Sequence, residues 1–137
     1  MDSSTLKVCL LLLVMLLGLQ QSLFSAVLNV PGDYSTIQQA IVASCYFGVV
    51  EVEAGVYMEN IDFLGKRITL ESVSGPANTI IDGSSCNLSS GDCSVVQFSS
   101  GEQEQSQLIG FTITGGTGLN TLGGGINCAG SSPTISN

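Results

Sequence analysis

The 137-residue chain contains no histidine and no tryptophan, and it has only three cationic side chains against eleven carboxylates. Without histidine, the chain cannot build a Ser–His–Asp triad, a Cys–His pair or a His-ligated zinc site. Its net charge of −8 argues against nucleic acid and anionic membranes as partners, because binding to either requires positive charge that replaces counterions. These absences remove the commonest nucleophilic hydrolases and the nucleic-acid-binding proteins from consideration.

An apolar run stands near the N-terminus. Val8–Leu19 is almost unbroken, follows a short cationic region and leads into small and polar residues. It is shorter than the roughly 20 residues that span a bilayer, and its position is typical of a secretory signal peptide. We predict a signal peptide over residues 1–26, cleaved after Ser25 or Ala26, and a domain over residues 27–137; an uncleaved anchor or a buried helix is the alternative. The protein is therefore expected to be secreted or displayed at the cell surface, and to meet the membrane only transiently.

Four cysteines remain once Cys9 leaves with the signal peptide. An even number in an exported chain indicates disulfides. Cys86 and Cys93 flank a loop of Gly, Ser, Asn and Asp that one bridge can close, so we predict a Cys86–Cys93 disulfide. Cys45 and Cys128 then either pair with each other or remain free thiols. None of the cysteines has the C-x-x-C spacing of a metal site.

The loop between the paired cysteines carries a modification motif. Asn87 begins the sequence Asn-Leu-Ser, an N-glycosylation sequon. We predict Asn87 as a glycosylation site if the host is eukaryotic. The scattered carboxylates lack the spacing of known calcium loops, so we predict no metal ion and no other cofactor.

One helix and many short strands are expected in the domain. Ser35–Gln38 matches the S-x-x-Q capping box, and the apolar stripe that follows at helical spacing predicts a helix over Ser35–Cys45. The predicted strands are Val27–Val30, Val49–Glu53, Ile61–Phe63, Ile68–Glu71, Thr79–Asp82, Val95–Phe98, Leu108–Thr114, Ile126–Cys128 and Pro133–Asn137. Turns this frequent indicate a sandwich or a solenoid. We favour the solenoid, because hairpin signals are missing and the helix can cover the apolar end of a stack.

Several segments then resemble a known superfamily. Val30–Ser44 and Val49–Gly83 resemble the first rungs of right-handed parallel β-helix proteins of the pectin-lyase-like superfamily. Leu108–Gly116 and Gly123–Asn137 are similar to the repeat of its non-enzymatic cell-surface members. The resemblance implies an all-β fold, a right-handed parallel β-helix with a short N-terminal capping α-helix. It does not imply an activity, because this architecture carries enzymes and inert scaffolds alike.

One segment is similar to a motif of enzymes in the superfamily. Ala54–Asn60 contains the G-x-Y-x-E pattern found near the start of pectinesterases, where it belongs to the scaffold. The Gln, two Asp and Arg that act on the ester in that family have no match here, and the polygalacturonase and pectate-lyase signatures are also missing. Arg67, beside Lys66, is interpreted as a solvated charge in a turn. No catalytic residue is therefore predicted.

The leading interpretation is a non-catalytic secreted or cell-surface β-helix scaffold that binds extracellular carbohydrate or a surface protein. The alternative is the N-terminal fragment of a pectinesterase-like or pectate-lyase-like enzyme whose catalytic rungs are absent here. Residues 27–137 provide about four rungs of roughly 20–25 residues, and Pro133–Asn137 stops inside a repeat. We expect a fragment, a truncated product, or a unit that self-associates through its open C-terminal rung. A disulfide-linked secreted effector acting alone is a third possibility.

Overall fold

A computed structural model describes residues 26–86, 93–118 and 123–137. The predicted signal peptide, apart from Ala26, and the predicted glycosylation site Asn87 lie outside the described residues. The elements in the described part are β1 (Val27–Val30), α1 (Ile37–Ala43), β2 (Val49–Val52), β3 (Gly55–Tyr57), β4 (Ile61–Asp62), β5 (Thr69–Ser72), β6 (Thr79–Asp82), β7 (Val96–Phe98), β8 (Gln107–Ile109), β9 (Thr112–Thr114), β10 (Ile126–Cys128) and β11 (Thr134–Ser136).

The strands form three sheets, and every pairing between them is parallel. Sheet A has the order β1-β2-β5-β8-β11, sheet B the order β3-β6-β9 and sheet C the order β10-β7-β4. After β1 the chain passes through sheets A, B and C in this order three times, as β2-β3-β4, β5-β6-β7 and β8-β9-β10, and then returns to sheet A. Each passage, called a rung below, adds one strand to each sheet. The protein is thus β-rich with parallel sheets and little helix, an arrangement compatible with a β-helix or solenoid.

The register of sheet A stacks apolar side chains on one face. Val50, Leu70 and Leu108 are partners in successive strands, and all three are buried. Glu51 and Glu71 are also partners in this register and lie on the opposite, partly exposed face. Because side chains alternate across a strand, a slip of one residue would move every apolar side chain outward. The alternating pattern therefore determines the register.

All three sheets contribute side chains to one core inside the rungs. Phe63 and Phe98 stack in successive rungs with their ring centroids 4.3 Å apart. The core comprises Val30, Ile37, Ala40, Ile41, Val50, Val52, Ile61, Phe63, Ile68, Leu70, Ile81, Val95, Val96, Phe98, Leu108 and Phe111. The helix α1 packs against β1, β2 and β4, and its apolar stripe is buried as the sequence predicts.

Several element boundaries differ from the sequence-based prediction, and β3 (Gly55–Tyr57) is a strand that this prediction does not include. The helix is shorter than predicted, beginning at Ile37 and ending at Ala43. The segment Leu108–Thr114, predicted as one strand, is divided between β8 in sheet A and β9 in sheet B. Gly110 lies between them with a φ of 77°, a left-handed conformation that turns the chain and that glycine adopts without steric cost.

We predict that Leu70→Ala lowers the free energy of unfolding by about 3 kcal/mol, because it removes buried methyl groups and leaves a cavity. Urea denaturation followed by far-UV circular dichroism measures the loss. Val56 is 61% exposed on β3, so Val56→Ala is the control and should change stability by less than about 0.5 kcal/mol. Equal losses in the two variants would contradict the register described above.

Candidate functional site

Glu59, the acidic residue of the G-x-Y-x-E segment, binds the N-terminus of α1. Its Oε1 accepts a hydrogen bond from the Ile37 N–H at 2.9 Å, and its Oε2 accepts one from the Gln38 N–H at 3.0 Å. The N-cap residue is Thr36, whose hydroxyl accepts from the Gln39 N–H at 3.2 Å. The cap thus begins one residue later than the predicted Ser35 box. A carboxylate here is also favoured by the positive end of the helix dipole.

Lys66 binds the other end of the same helix. Its ammonium donates to the carbonyl oxygens of Ile41 at 2.8 Å, Val42 at 2.6 Å and Ser44 at 2.8 Å. Burial lowers the pKa of Lys66, while the three carbonyl dipoles favour its charged form. Arg67 is exposed, in agreement with its interpretation as a solvated charge. Of these neighbouring cations, Lys66 therefore has a structural role.

Tyr57, the aromatic residue of the same segment, hydrogen-bonds to the backbone. Its hydroxyl donates to the carbonyl oxygen of Glu53 at 2.9 Å and lies 3.5 Å from that of Val30 at the end of β1. Burial, with smaller contributions from the charges of Glu53 and Glu59, raises the pKa of Tyr57. The phenol therefore remains a protonated donor at neutral pH. In this chain the G-x-Y-x-E residues connect the first rung to β1 and α1.

Gln38 extends the hydrogen bonding of sheet C to the helix. Its side-chain Nε2 donates to the carbonyl oxygen of Asp62 at 3.2 Å, and its Oε1 accepts from the Asp62 N–H at 2.8 Å. Asp62 lies in β4, which is the edge strand of sheet C on this side. The carboxamide thus satisfies backbone groups that a preceding strand would otherwise pair.

Glu102 is a fully buried carboxylate at the corner between sheets C and A. Its Oε1 accepts from the Gly65 N–H at 2.7 Å, and its Oε2 accepts from the Ser100 N–H at 2.9 Å and the Ser131 hydroxyl at 2.7 Å. These donors come from three successive corners. Burial raises the pKa of Glu102, but hydrogen bonds from Ser131, Gly65, Ser100 and its own backbone outweigh this and bring it below its ordinary value. The ionised carboxylate therefore links three rungs.

A polar groove lies over the same corners. It has a volume of about 410 Å³ and is lined by Arg67, Gln103, Glu104, Gln105 and Ser132. We call this the corner groove. Each of its residues is exposed, and each comes from one of three successive connections between sheet C and sheet A. The groove thus presents to solvent a guanidinium, a carboxylate, two carboxamides and a hydroxyl.

A second cavity, of about 440 Å³, lies at the last described rung. Leu108, Phe111, Ile113, Ile126 and Ile135 supply its apolar lining. These residues occupy the inward positions of β8, β9, β10 and β11 or the corner before β9. The cavity is thus a continuation of the apolar core.

Three of the four described cysteines are disulfide-bonded and one is a free thiol. Cys86 and Cys93 form a disulfide with their Cα atoms 5.7 Å apart. Cys128 is an exposed free thiol, so its expected pairing with Cys45 is not formed. Cys45 is itself disulfide-bonded, so the alternative expectation of two free thiols is also wrong. Burial, with a smaller contribution from the charge of Glu102, raises the pKa of Cys128. Its thiol is therefore protonated at neutral pH and a weak nucleophile.

In residues 26–86, 93–118 and 123–137, no three side chains of Asp, Glu or Cys converge as a metal ion requires. No helix in this part of the chain is long and apolar enough to cross a membrane. Comparison of the chain with protein-family models, with curated proteins and with solved structures finds no match. Function is therefore inferred from the contacts of the residues themselves.

We predict that Glu59→Gln lowers the free energy of unfolding by about 1 kcal/mol, because the amide cannot accept from both helix N–H groups. Hydrogen exchange at the Ile37 and Gln38 amides, together with urea denaturation, measures the effect. Glu53→Gln alters an exposed carboxylate of the same rung and is the control. If both variants exchange these amides at the wild-type rate, the cap by Glu59 is wrong.

We predict that Glu102→Gln costs about 2 kcal/mol at neutral pH, since one of the buried donors loses its acceptor. Because the folded-state pKa of Glu102 is lowered, its contribution is complete above the unfolded-state pKa and is lost as the pH falls through the folded-state pKa. The stability difference between wild type and variant should therefore shrink on acidification.

Urea denaturation over a pH series provides this measurement. Glu104→Gln, an exposed neighbour in the same corner, should change stability at neutral pH by less than about 0.5 kcal/mol. A wild-type advantage over Glu102→Gln that stays constant down to acid pH would refute the role of the ionised carboxylate.

Proposed function

We propose that this chain folds as a right-handed parallel β-helix with α1 as its N-terminal cap. Three parallel sheets visited in a fixed order support the proposal. The right hand is supported by the general preference of parallel crossover connections, about 98% of which are right-handed. The contacts of α1 with the first strands of sheets A and C support its role as a cap.

We further propose that the protein is a non-catalytic scaffold that is secreted or displayed at the cell surface, and that it binds extracellular carbohydrate or a surface protein. One observation carries this proposal: three of the buried or half-buried charged groups, Glu59, Lys66 and Glu102, serve the fold. Glu59 and Lys66 bind the two ends of α1, and Glu102 links three corners. A general base or nucleophile needs a free lone pair facing a substrate. The lone pairs of Glu59 and Glu102 and the protons of Lys66 are engaged by the backbone and, for Glu102, also by the Ser131 hydroxyl.

Export is supported by the bonded cysteines. Disulfides persist in oxidising compartments and are rare in the cytosol, and Cys86 and Cys93 form one. The apolar segment Val8–Leu19 is the proposed export signal.

The competing proposal is the N-terminal part of a carbohydrate-active enzyme whose catalytic rungs are absent here. It is favoured by the G-x-Y-x-E segment, which resembles that of pectinesterases. Tyr57 and Glu59 make only scaffold contacts among the described residues, as the resemblance implies. The segment thus supports the fold more than an activity of this chain.

Secretion of the full chain from a eukaryotic host tests these proposals. We expect N-terminal sequencing of the secreted protein to begin at Ala26 or Val27, and the protein to be retained on glycan arrays or intact cell surfaces. We also expect neither ester hydrolysis nor chain cleavage when it is incubated with methyl-esterified polyuronate. Turnover that co-purifies with the chain would overturn the non-catalytic role, and retention inside the cell would overturn export.

A further inference from the structure

The corner groove is built by three successive rungs rather than by one loop. Arg67 comes from the connection between β4 and β5, Gln103, Glu104 and Gln105 from that between β7 and β8, and Ser132 from that between β10 and β11. Its volume of about 410 Å³ falls within the range of roughly 300–1,000 Å³ that small-molecule sites occupy. The groove is therefore large enough to receive part of an extended ligand.

The backbone beneath the groove is held by hydrogen bonds between rungs. The Ser132 N–H donates to the carbonyl oxygen of Glu102 at 2.8 Å, and the Thr134 hydroxyl donates to that of Glu104 at 2.9 Å. The Ser106 hydroxyl donates to the carbonyl oxygen of Lys66 at 2.9 Å. The buried Glu102 carboxylate links the same three connections. Because the backbone is already ordered, binding costs less conformational entropy than it would on a free loop.

The lining side chains offer both hydrogen-bond donors and acceptors. A guanidinium supplies only donors, a carboxylate only acceptors, and the carboxamides and the serine hydroxyl supply both. Vicinal hydroxyls of a sugar present the same mixture of donors and acceptors at short spacing. Among the described residues that line the groove, none has an aliphatic or aromatic side chain. Their chemistry therefore matches a ligand that is rich in hydroxyls.

Charge further restricts the ligand. Arg67 and Glu104 carry opposite charges and leave the groove without net charge. The chain as a whole has a net charge of −8, which repels polyanions. A charged polyuronate is thus disfavoured by electrostatic repulsion, whereas an uncharged glycan is not repelled.

We propose that the corner groove binds a neutral, hydroxyl-rich glycan. This inference rests on the proposed role as an extracellular binding scaffold and names the site at which that scaffold binds. We expect a weak affinity for a single groove, because none of the described residues that line it has an aromatic ring to stack against a sugar.

NMR titration of the full, isotopically labelled chain tests the proposal. The probes are a neutral β-1,4-linked glucose oligosaccharide, a neutral mannose oligosaccharide and, for comparison, a uronate oligosaccharide of equal length. We expect at least one neutral probe to shift the backbone amide signals of Gln103, Glu104, Gln105 and Ser132, and the uronate to shift them less.

Variants of exposed groove residues identify the side chains responsible. Gln105→Ala should weaken binding by about three- to tenfold, the effect of losing one or two ordinary hydrogen bonds. Arg67→Ala combined with Gln105→Ala should weaken it by more than about tenfold. Gln39→Ala removes the same side chain from α1, outside the groove, and should leave binding unchanged. The amide spectrum of each variant shows at the same time whether it is folded.

The outcomes separate the groove from the wider proposal. Shifts confined to another surface, with full affinity in the groove variants, would overturn the groove and leave the binding scaffold standing. A stronger response to the uronate would overturn the assignment to neutral glycans. Absence of any shift with both neutral probes at millimolar concentration would overturn the inference. If cell surfaces and glycan arrays also fail to retain the chain, the proposed function fails with it.

Discussion

In-register pairing between successive rungs is the constraint on which the rest of this structure depends. Each rung buries its apolar side chains mainly against the rungs before and after it, as the stack of Val50, Leu70 and Leu108 shows. Stability in such an array is close to a sum of contacts between neighbours. The chain must therefore return to the same lateral position after every passage, and its corners must accommodate the return. Gly110, in a left-handed conformation, makes one of these corners.

In the described part of the chain, the first rung has no rung before it, so its apolar side chains need another partner. The helix α1 is that partner, and charged residues bind its two ends. The helix α1 lies over the first rung and hydrogen-bonds through Gln38 to the edge of sheet C. Glu59 lies at the positive end of the helix dipole and Lys66 at its negative end. Both come from the first rung, so the rung that needs covering also supplies the groups that orient its cover. This explains why a chain with so few cations has one of them half-buried.

The contacts of the buried charged residues also bear on function. Glu102, which in an enzyme would be a candidate acid, is held ionised by donors from three rungs. Its contacts order the corner that carries Arg67 and the exposed polar residues around it. A rigid backbone below and exposed, chemically varied side chains above are the properties of a binding surface. The buried Glu102 carboxylate therefore orders the backbone of the same connections whose exposed side chains line the proposed glycan groove.

The local pattern of the sequence determined much of the architecture. Alternation of apolar and polar residues located most strands and their inward faces, the apolar stripe located α1, and the short loop between Cys86 and Cys93 predicted their bond. These features depend on neighbours within a few residues. The prediction of one continuous strand over Leu108–Thr114 was wrong, because the chain turns at Gly110. Periodicity alone does not show that the two halves of this segment belong to different sheets.

The roles of the charged residues were decided only by the tertiary structure. Glu59 lies 22 residues from Ile37, and Glu102 lies 37 from Gly65, so no local spacing could pair them. Arg67 and Ser132 likewise meet in one groove only because the rungs stack. Sequence determined what each rung is made of, through side-chain alternation and turn residues. Which rungs face each other, and therefore which polar groups meet, follows from the register of the backbone hydrogen bonds between them.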